Sequence, residues 1–315
     1  MPPIITLTLN PAIDETIVLD HLRPGHVHRA AEVTHHAGGK GINVASCLAD
    51  WNLPVIATGI LGAANATPFA TLFTTKRITD RCLRIPGETR TNIKLAHDGD
   101  TTDINLPGLT PDAATLANIE TALTSLATPD SLILLAGSLP AATPEDFYAR
   151  LIATLATAGA RVILDSSGAP LARALAGKTL PFCIKPNRAE LEAFAGHPLP
   201  TTADLLAVAQ SLRASGVALV VISLGAEGAI FAGAQTLHAR LPARRATSTV
   251  GAGDAMVAGI IAGLAEAAAP DRLARLATAF AVAKLGQPGP NLPPRAQVEA
   301  LAAAVHIENL KGAQK

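Results

Sequence analysis

A series of short, β-branched apolar runs constrains this chain more than any other feature. They read "IITLTL" (4–9), "VIATGIL" (55–61), "SLILLAG" (131–137), "RVILD" (161–165), "FCIK" (182–185) and "ALVVIS" (218–223). Each is bounded by turn residues, and stretches of helical character separate them at 42–51, 111–126, 144–158 and 203–214. The runs are continuously apolar rather than alternating, which means burial on both faces of a sheet. Such strands with helices between them form βαβ units. The expectation is an α/β fold with a central, mostly parallel sheet flanked by helices. At 315 residues, 49% apolar and 16% charged, the chain can build one such core with a small appended element.

Two stretches break the rhythm. Residues 12–34 hold two strand-like pieces around Arg23-Pro24-Gly25. Residues 89–107 hold two more around Asp98-Gly99-Asp100, a hairpin signal. These strands do not fit a parallel sheet. They are expected to form a separate small β-sheet lid at 12–34 and 89–107, over a core of 1–11, 35–88 and 108–315. The tail beyond residue 305 is expected to be surface structure.

Lys+Arg and Asp+Glu both number 25, so formal charge cancels. A nucleic-acid or anionic-membrane binder carries a basic excess, so neither partner is expected. Any anion must be held by a local site. Cys47, Cys82 and Cys183 have no metal-ligand or redox spacing, which points to a reducing cytoplasm. His26/His28 and His35/His36 lack the cysteines or carboxylates of a ligand set and read as surface or loop residues. "MPPIITLTLNP" has no basic n-region and is not read as a signal peptide. The apolar segment 255–265 falls short of the ~20 residues a bilayer span needs.

The chemistry concentrates in "STVGAGDAMVAG" (248–259). Gly251-x-Gly253-x-x-Met256 lacks the third glycine of a dinucleotide fingerprint. Gly38-Gly39-Lys40-Gly41 lacks the spacing and the Ser/Thr of a P-loop. Gly251-Ala252-Gly253 can nevertheless turn its backbone N–H groups to one side, and the helix that follows offers its positive end to an anion. Asp254 as a helix cap contributes about 1 kcal/mol. A carboxylate beside an anion-holding turn also repels the anion, so capping is a poor reason for having both. The two make sense together if Asp254 takes a proton from an attacking hydroxyl while the turn receives negative charge. That describes phosphoryl transfer to an alcohol.

These segments resemble the ribokinase-like sugar kinases of the phosphofructokinase B branch. The resemblance rests on "STVGAGDAMVAG" and "AGGKGINVA" (37–45), and extends through "LTLNPAID" (7–14), "GSLP" (137–140), "LDSSG" (164–168), "KPNRAELE" (185–192) and "VISLGAEGA" (221–229). It covers nearly the whole chain. "TRTNIKL" with "TDIN" is most similar to the bacterial 1-phosphofructokinases, with 6-phosphofructokinases and tagatose-6-phosphate kinases as near relatives. The resemblance implies ATP, Mg²⁺ and a sugar phosphate, with fructose 1-phosphate first among the acceptors.

It also implies roles for single residues. Asp14, otherwise a turn aspartate, would accept hydrogen bonds from sugar hydroxyls. Gly38 and Gly39, otherwise a loop closing a helix–sheet contact, would lay backbone against the sugar. Asn43 would meet a hydroxyl, and Lys40 would face a phosphate as a point charge. Arg90, Asn92 and Lys94 fall at i, i+2 and i+4 of a strand and share a face. That face is either solvated or a clamp on the substrate's existing phosphate, for which Arg90 has the bidentate geometry. Arg29 and Asn105 are lesser candidates for the same pocket. Ser138 follows a strand at its carboxyl end, where α/β ligands bind.

Asn187 and Glu190 have the spacing of a helix capping box. The resemblance adds that Glu190 helps order Mg²⁺ near the ATP phosphates, which Lys185 would also reach. Asp165, at a strand's carboxyl end, would assist the metal. Ser223, Gly225 and Gly228 read as a turn between strands, which the resemblance sets beside the nucleotide. "GQPGP" (286–290) would wall the adenine pocket. A nicotinamide oxidoreductase is disfavoured by the broken fingerprint, and a non-catalytic sugar-phosphate sensor by the intact Asp254. Exposed edges of a small lid sheet would be covered in a homodimer.

Overall fold

The computed structural model describes residues 1–242 and 251–310. The first apolar run forms β1 (Ile4–Thr8), and the chain then leaves the core for β2 (Ala12–Val18) and β3 (Glu32–Gly38). Helix α1 (Lys40–Asp50) leads to β4 (Ile56–Gly62), α2 (Thr67–Lys76) and β5 (Thr79–Ile85). A hairpin of β6 (Thr91–His97) and β7 (Asp100–Asn105) follows, then α3 (Ala113–Leu126) and β8 (Leu132–Ala136). Next come α4 (Phe147–Thr157), β9 (Arg161–Asp165), α5 (Gly168–Leu175), β10 (Cys183–Ile184), α6 (Arg188–Ala195), α7 (Thr202–Ser215) and β11 (Leu219–Ser223). The remaining described elements are β12 (Ala229–Ala232), β13 (Thr236–Arg240), α8 (Ala252–Ala265), α9 (Pro270–Lys284), α10 (Arg295–Ala304) and β14 (His306–Asn309).

The large sheet has the order β14-β13-β12-β11-β10-β9-β8-β1-β4-β5. Every neighbouring pair from β5 to β11 is parallel. All residues of β1 and β8 are buried, which is why their sequences are continuously apolar. The end formed by β12, β13 and β14 is antiparallel. Residues 306–309, expected as surface structure, are indeed largely exposed, and they form the edge strand β14. It and the opposite edge, β5, escape pattern reading because water-facing positions admit charge.

Helices cover both faces. One apolar cluster packs α1, α2, α8, α9 and α10 on the sheet, and a second packs α3 to α7. Helix α8 is buried along its whole run from Asp254 to Gly263. A helix that is apolar all round belongs in the middle of a layer. Its neighbour α9 comes close because Gly259 and Gly263 lack side chains. A Cβ on Gly259 would lie 2.5 Å from Ala277 Cα, and one on Gly263 would lie 2.9 Å from Leu273 Cγ. This packing fixes where the first turn of α8 ends up.

The second sheet is small and separate, in the order β3-β2-β6-β7. Its β6–β7 hairpin turns on Asp98 and Gly99, both left-handed with φ 51 and 80, as a two-residue hairpin turn requires. Strand β3 continues past residue 34 and ends in the glycine run at Gly38. Among the described residues, no helix is long and apolar enough to cross a membrane.

Candidate active site

The candidate residues gather at the carboxyl ends of the parallel strands, the usual ligand edge of such a sheet. Asp165 ends β9, Lys185 follows β10, Ser138 lies just past β8, and Asn10 just past β1. The first turn of α8 meets the same edge. Gly251 is its N-cap in a left-handed conformation, φ 81 and ψ −1, and no side chain caps the helix. Its leading N–H groups are therefore not taken up by a side-chain cap. Ser248, Thr249 and Val250, which lead into this turn, lie outside the described residues.

Asp254 is buried in that first turn, and its Oδ2 accepts a hydrogen bond of 2.7 Å from Asn43 Nδ2. The carboxylate does not cap its own helix, so the capping reading does not describe it. Asn43, expected on a sugar hydroxyl, thus also holds the carboxylate. Burial, followed by the charge of Asp165, raises the Asp254 pKa to about 6 against the Asn43 bond and the ammoniums of Lys40 and Lys185.

Asp165 is itself buried between two lysines. Lys40 Nζ stands 3.2 Å from Oδ2 and Lys185 Nζ 3.4 Å from Oδ1. Burial depresses the Lys40 pKa, but Asp165, Asp254 and Glu190 together raise it above its ordinary value. The Lys185 ammonium lies 3.6 Å from the place a Cβ would take on Gly253. Lys40, expected to face a phosphate as a point charge, is paired here with Asp165.

On the small sheet, Asn92 and Lys94 do share a face, and both converge on Asp14. Asn92 Nδ2 donates to Asp14 Oδ1 at 3.2 Å, and Lys94 Nζ is 3.3 Å from Oδ2. Gly38 lies directly against this carboxylate, and a Cβ there would stand 2.7 Å from Asp14 Oδ2 and displace it. Gly39 links this sheet to α1 as the helix N-cap. Arg90, just before β6, is held by main-chain oxygens: Nε donates to the Pro11 carbonyl at 3.3 Å and Nη1 to the Leu106 carbonyl at 3.2 Å. Arg29 is exposed and lies outside the strands, and Asn105 ends the exposed strand β7.

Asn10 was not apparent from the sequence. Its Nδ2 donates to Ser138 Oγ at 3.0 Å, and its Oδ1 is buried without a partner. The available signal was its place between a buried strand and a proline. His36, expected at the surface or in a loop, is half-buried and packs on Gly289, whose missing Cβ would lie 2.9 Å from Nδ1. Segment 286–290 therefore faces the small sheet. Between them lies a cavity of about 420 Å³ lined by Asp14, His36, Asn43, Lys94, Gly251 and Lys284, among others.

On the other side of Lys185, Asn187 and Glu190 form the expected capping box on α6. Asn187 Oδ1 accepts from the Glu190 N–H at 2.8 Å, and Glu190 Oε2 accepts from the Asn187 N–H at 2.9 Å. Ser223 pairs with Asn187 through a backbone bridge. Gly225 and Gly228 follow with φ 61 and 87, and Gly228 passes so close to Ala239 that a Cβ would lie 2.1 Å from its carbonyl oxygen.

The chain matches the pfkB family of carbohydrate kinases over residues 7–297. It belongs to that family. The matched span includes the whole small sheet, all of the large sheet except β14 and the first residues of β1, and every candidate residue above. As a carbohydrate kinase the chain is a phosphotransferase that uses ATP. It is 54% identical over 287 residues to the 1-phosphofructokinase of Xanthomonas campestris pv. campestris, covering 89% of this chain and 90% of that protein. It is 43% identical to the 1-phosphofructokinase of Rhodobacter capsulatus, covering 98% of each. Among solved structures it superposes on Escherichia coli phosphofructokinase-2 in complex with substrates and products. That match has a TM-score of 0.89, 27% identity, and covers 96% of this chain and 98% of the other. The α/β architecture with its separate small sheet is that of the family.

Proposed function

We propose that this kinase transfers the γ-phosphoryl group of ATP to the 6-hydroxyl of fructose 1-phosphate, giving fructose 1,6-bisphosphate and ADP. The observation that carries the reading is Asp254, a buried carboxylate held by Asn43 in the uncapped first turn of α8. The names of the 1-phosphofructokinases at 54% and 43% identity support the choice of sugar.

In this reading the small sheet is a lid, and the sugar lies between it and α8. Asp14 accepts from a sugar hydroxyl, with the backbone of Gly38 and Gly39 alongside. Arg90, Asn92 and Ser138 take the phosphate the sugar already carries. Asp254 removes the proton of the 6-hydroxyl, whose oxygen forms the new bond to the γ-phosphorus as the bond to ADP breaks. The N–H groups of Gly251, Ala252 and Gly253 receive the charge on the transferred group, with Lys185 and Lys40 adding positive field. Lys185, Asn187, Ser223, Gly225 and Gly228 form the nucleotide side. A closed lid excludes water, the competing acceptor.

Mg²⁺ is usually held by one or two carboxylates together with waters and substrate phosphates. Among the described residues no protein cluster of three or more ligands exists, so phosphates would complete the set. Two carboxylates fit. Asp165 Oδ1 is buried with no hydrogen bond beyond the ion pair to the Lys185 ammonium at 3.4 Å, and Glu190 engages its cap through Oε2. Bound there, Mg²⁺ would offset charge on the ATP phosphates. The exposed strand β7, with Val33 and Ile104 exposed on the same sheet, supports a homodimer through the lid. Three buried free cysteines suit a reducing cytoplasm.

Asp254 must be ionised to accept a proton. The kcat/KM for the sugar therefore falls about tenfold per pH unit below about pH 6 and levels above it, in a pH–rate profile. The substrate itself is tested by ADP release over fructose 1-phosphate, fructose 6-phosphate and tagatose 6-phosphate. Fructose 1-phosphate gives the highest kcat/KM. A higher value for another sugar overturns the assignment, and binding without ADP release from any of them makes the protein a sensor.

A further inference from the structure

Lys284 ends α9 and is 6% exposed, an unusual place for a lysine. Its ammonium donates to the Gln287 carbonyl at 2.9 Å. Its Cε lies 3.3 Å from the position a Cβ would take on Gly251. The side chain is thus wedged between segment 286–290 and the N-cap of α8, on the wall of the cavity described above.

Closing the carboxyl end of α9 explains the bond to Gln287, but an exposed lysine does that equally well. It does not explain burial. Burial pulls the Lys284 pKa down, as does Lys94, while Cys47 and Asp254 oppose the shift. The ammonium also sits beside the positive end of α8, where like charges repel. Lys94 adds a further positive charge to the same wall. An anion arriving at the turn reverses the balance, because helix end and ammonium then attract the same group.

We infer that Lys284 is a positioning residue for phosphoryl transfer: its ammonium braces the Gly251 turn from behind and adds fixed positive charge where the transferred group arrives. The inference rests on the function proposed above. Lys284→Met keeps an apolar stem against Gly251 and removes the charge, and Lys284→Ala leaves room for a small cation. With fructose 1-phosphate and ATP, Lys284→Met is expected to lower kcat by roughly 10²-fold with the sugar KM within about threefold of wild type. Added ethylammonium restores part of the lost kcat to Lys284→Ala, and tetramethylammonium at equal ionic strength restores none.

A Lys284→Met kcat within about twofold of wild type overturns the inference and leaves the proposed function standing. A loss in both variants that ethylammonium does not relieve overturns it too, because packing alone then accounts for the residue. Failure of both variants to fold, read from thermal unfolding, assigns Lys284 to stability with the same result. Wild-type protein that releases no ADP from fructose 1-phosphate sinks the proposed function and the inference together.

Discussion

Asp254→Asn lowers kcat by roughly 10²–10⁴-fold and leaves the KM for the sugar within about threefold of wild type. The amide has the shape of the carboxylate, and its oxygen still accepts from Asn43. It cannot take a proton from the 6-hydroxyl. The loss therefore falls on the chemical step rather than on binding. Stability moves the other way. Burial raises the folded pKa from 3.8 to about 6, so between those values the folded state holds a proton that the unfolded chain releases. The stability tied to this group is full below the lower value and is lost as pH climbs through the upper one. At pH 7.5 the ionised carboxylate thus costs up to about 3 kcal/mol, which the amide relieves. Denaturant unfolding at pH 7.5 should show the variant more stable than wild type. Near-normal turnover in Asp254→Asn would remove Asp254 from the reaction.

Asp165→Ala is the second large change. It leaves the buried Lys185 and its neighbour Lys40 without their shared carboxylate. Removing one partner of a buried ion pair costs about 3–5 kcal/mol, because the remaining charge stays desolvated. The same variant shifts the acid limb of the pH–rate profile to lower pH. Asp165 raises the Asp254 pKa and the two lysines lower it, so losing the former unmasks the latter. Unfolding and the pH profile test the two effects separately. Unchanged stability, or a limb displaced to higher pH, contradicts this account of the cluster.

The segments that could be read locally are those whose physics is local. Strands β1 and β8 are buried on both faces, so their apolar runs announce a parallel core. Asp98-Gly99 announces its hairpin because both positions need left-handed backbone. Asn187 and Glu190 announce a cap because its partners are three residues apart. The edges β5 and β14 carried no such signal, and neither did Asn10, whose partner Ser138 is 128 residues away.

The order of residues along the chain was enough to specify a glycine turn running into a helix with a carboxylate in its first turn, since those groups are neighbours in sequence. It was not enough to specify what surrounds that carboxylate. Asn43 reaches Asp254 across 211 residues, and Asp165 brings Lys40 and Lys185 together from different strand ends. Lys284 meets Gly251 only because α8 and α9 pack closely at Gly259 and Gly263. Hydrogen bonds, ion pairs and burial depend on distance in space. The shifted pKa of Asp254 and the pairing of Lys40 come into existence only when the sheet and its helices assemble.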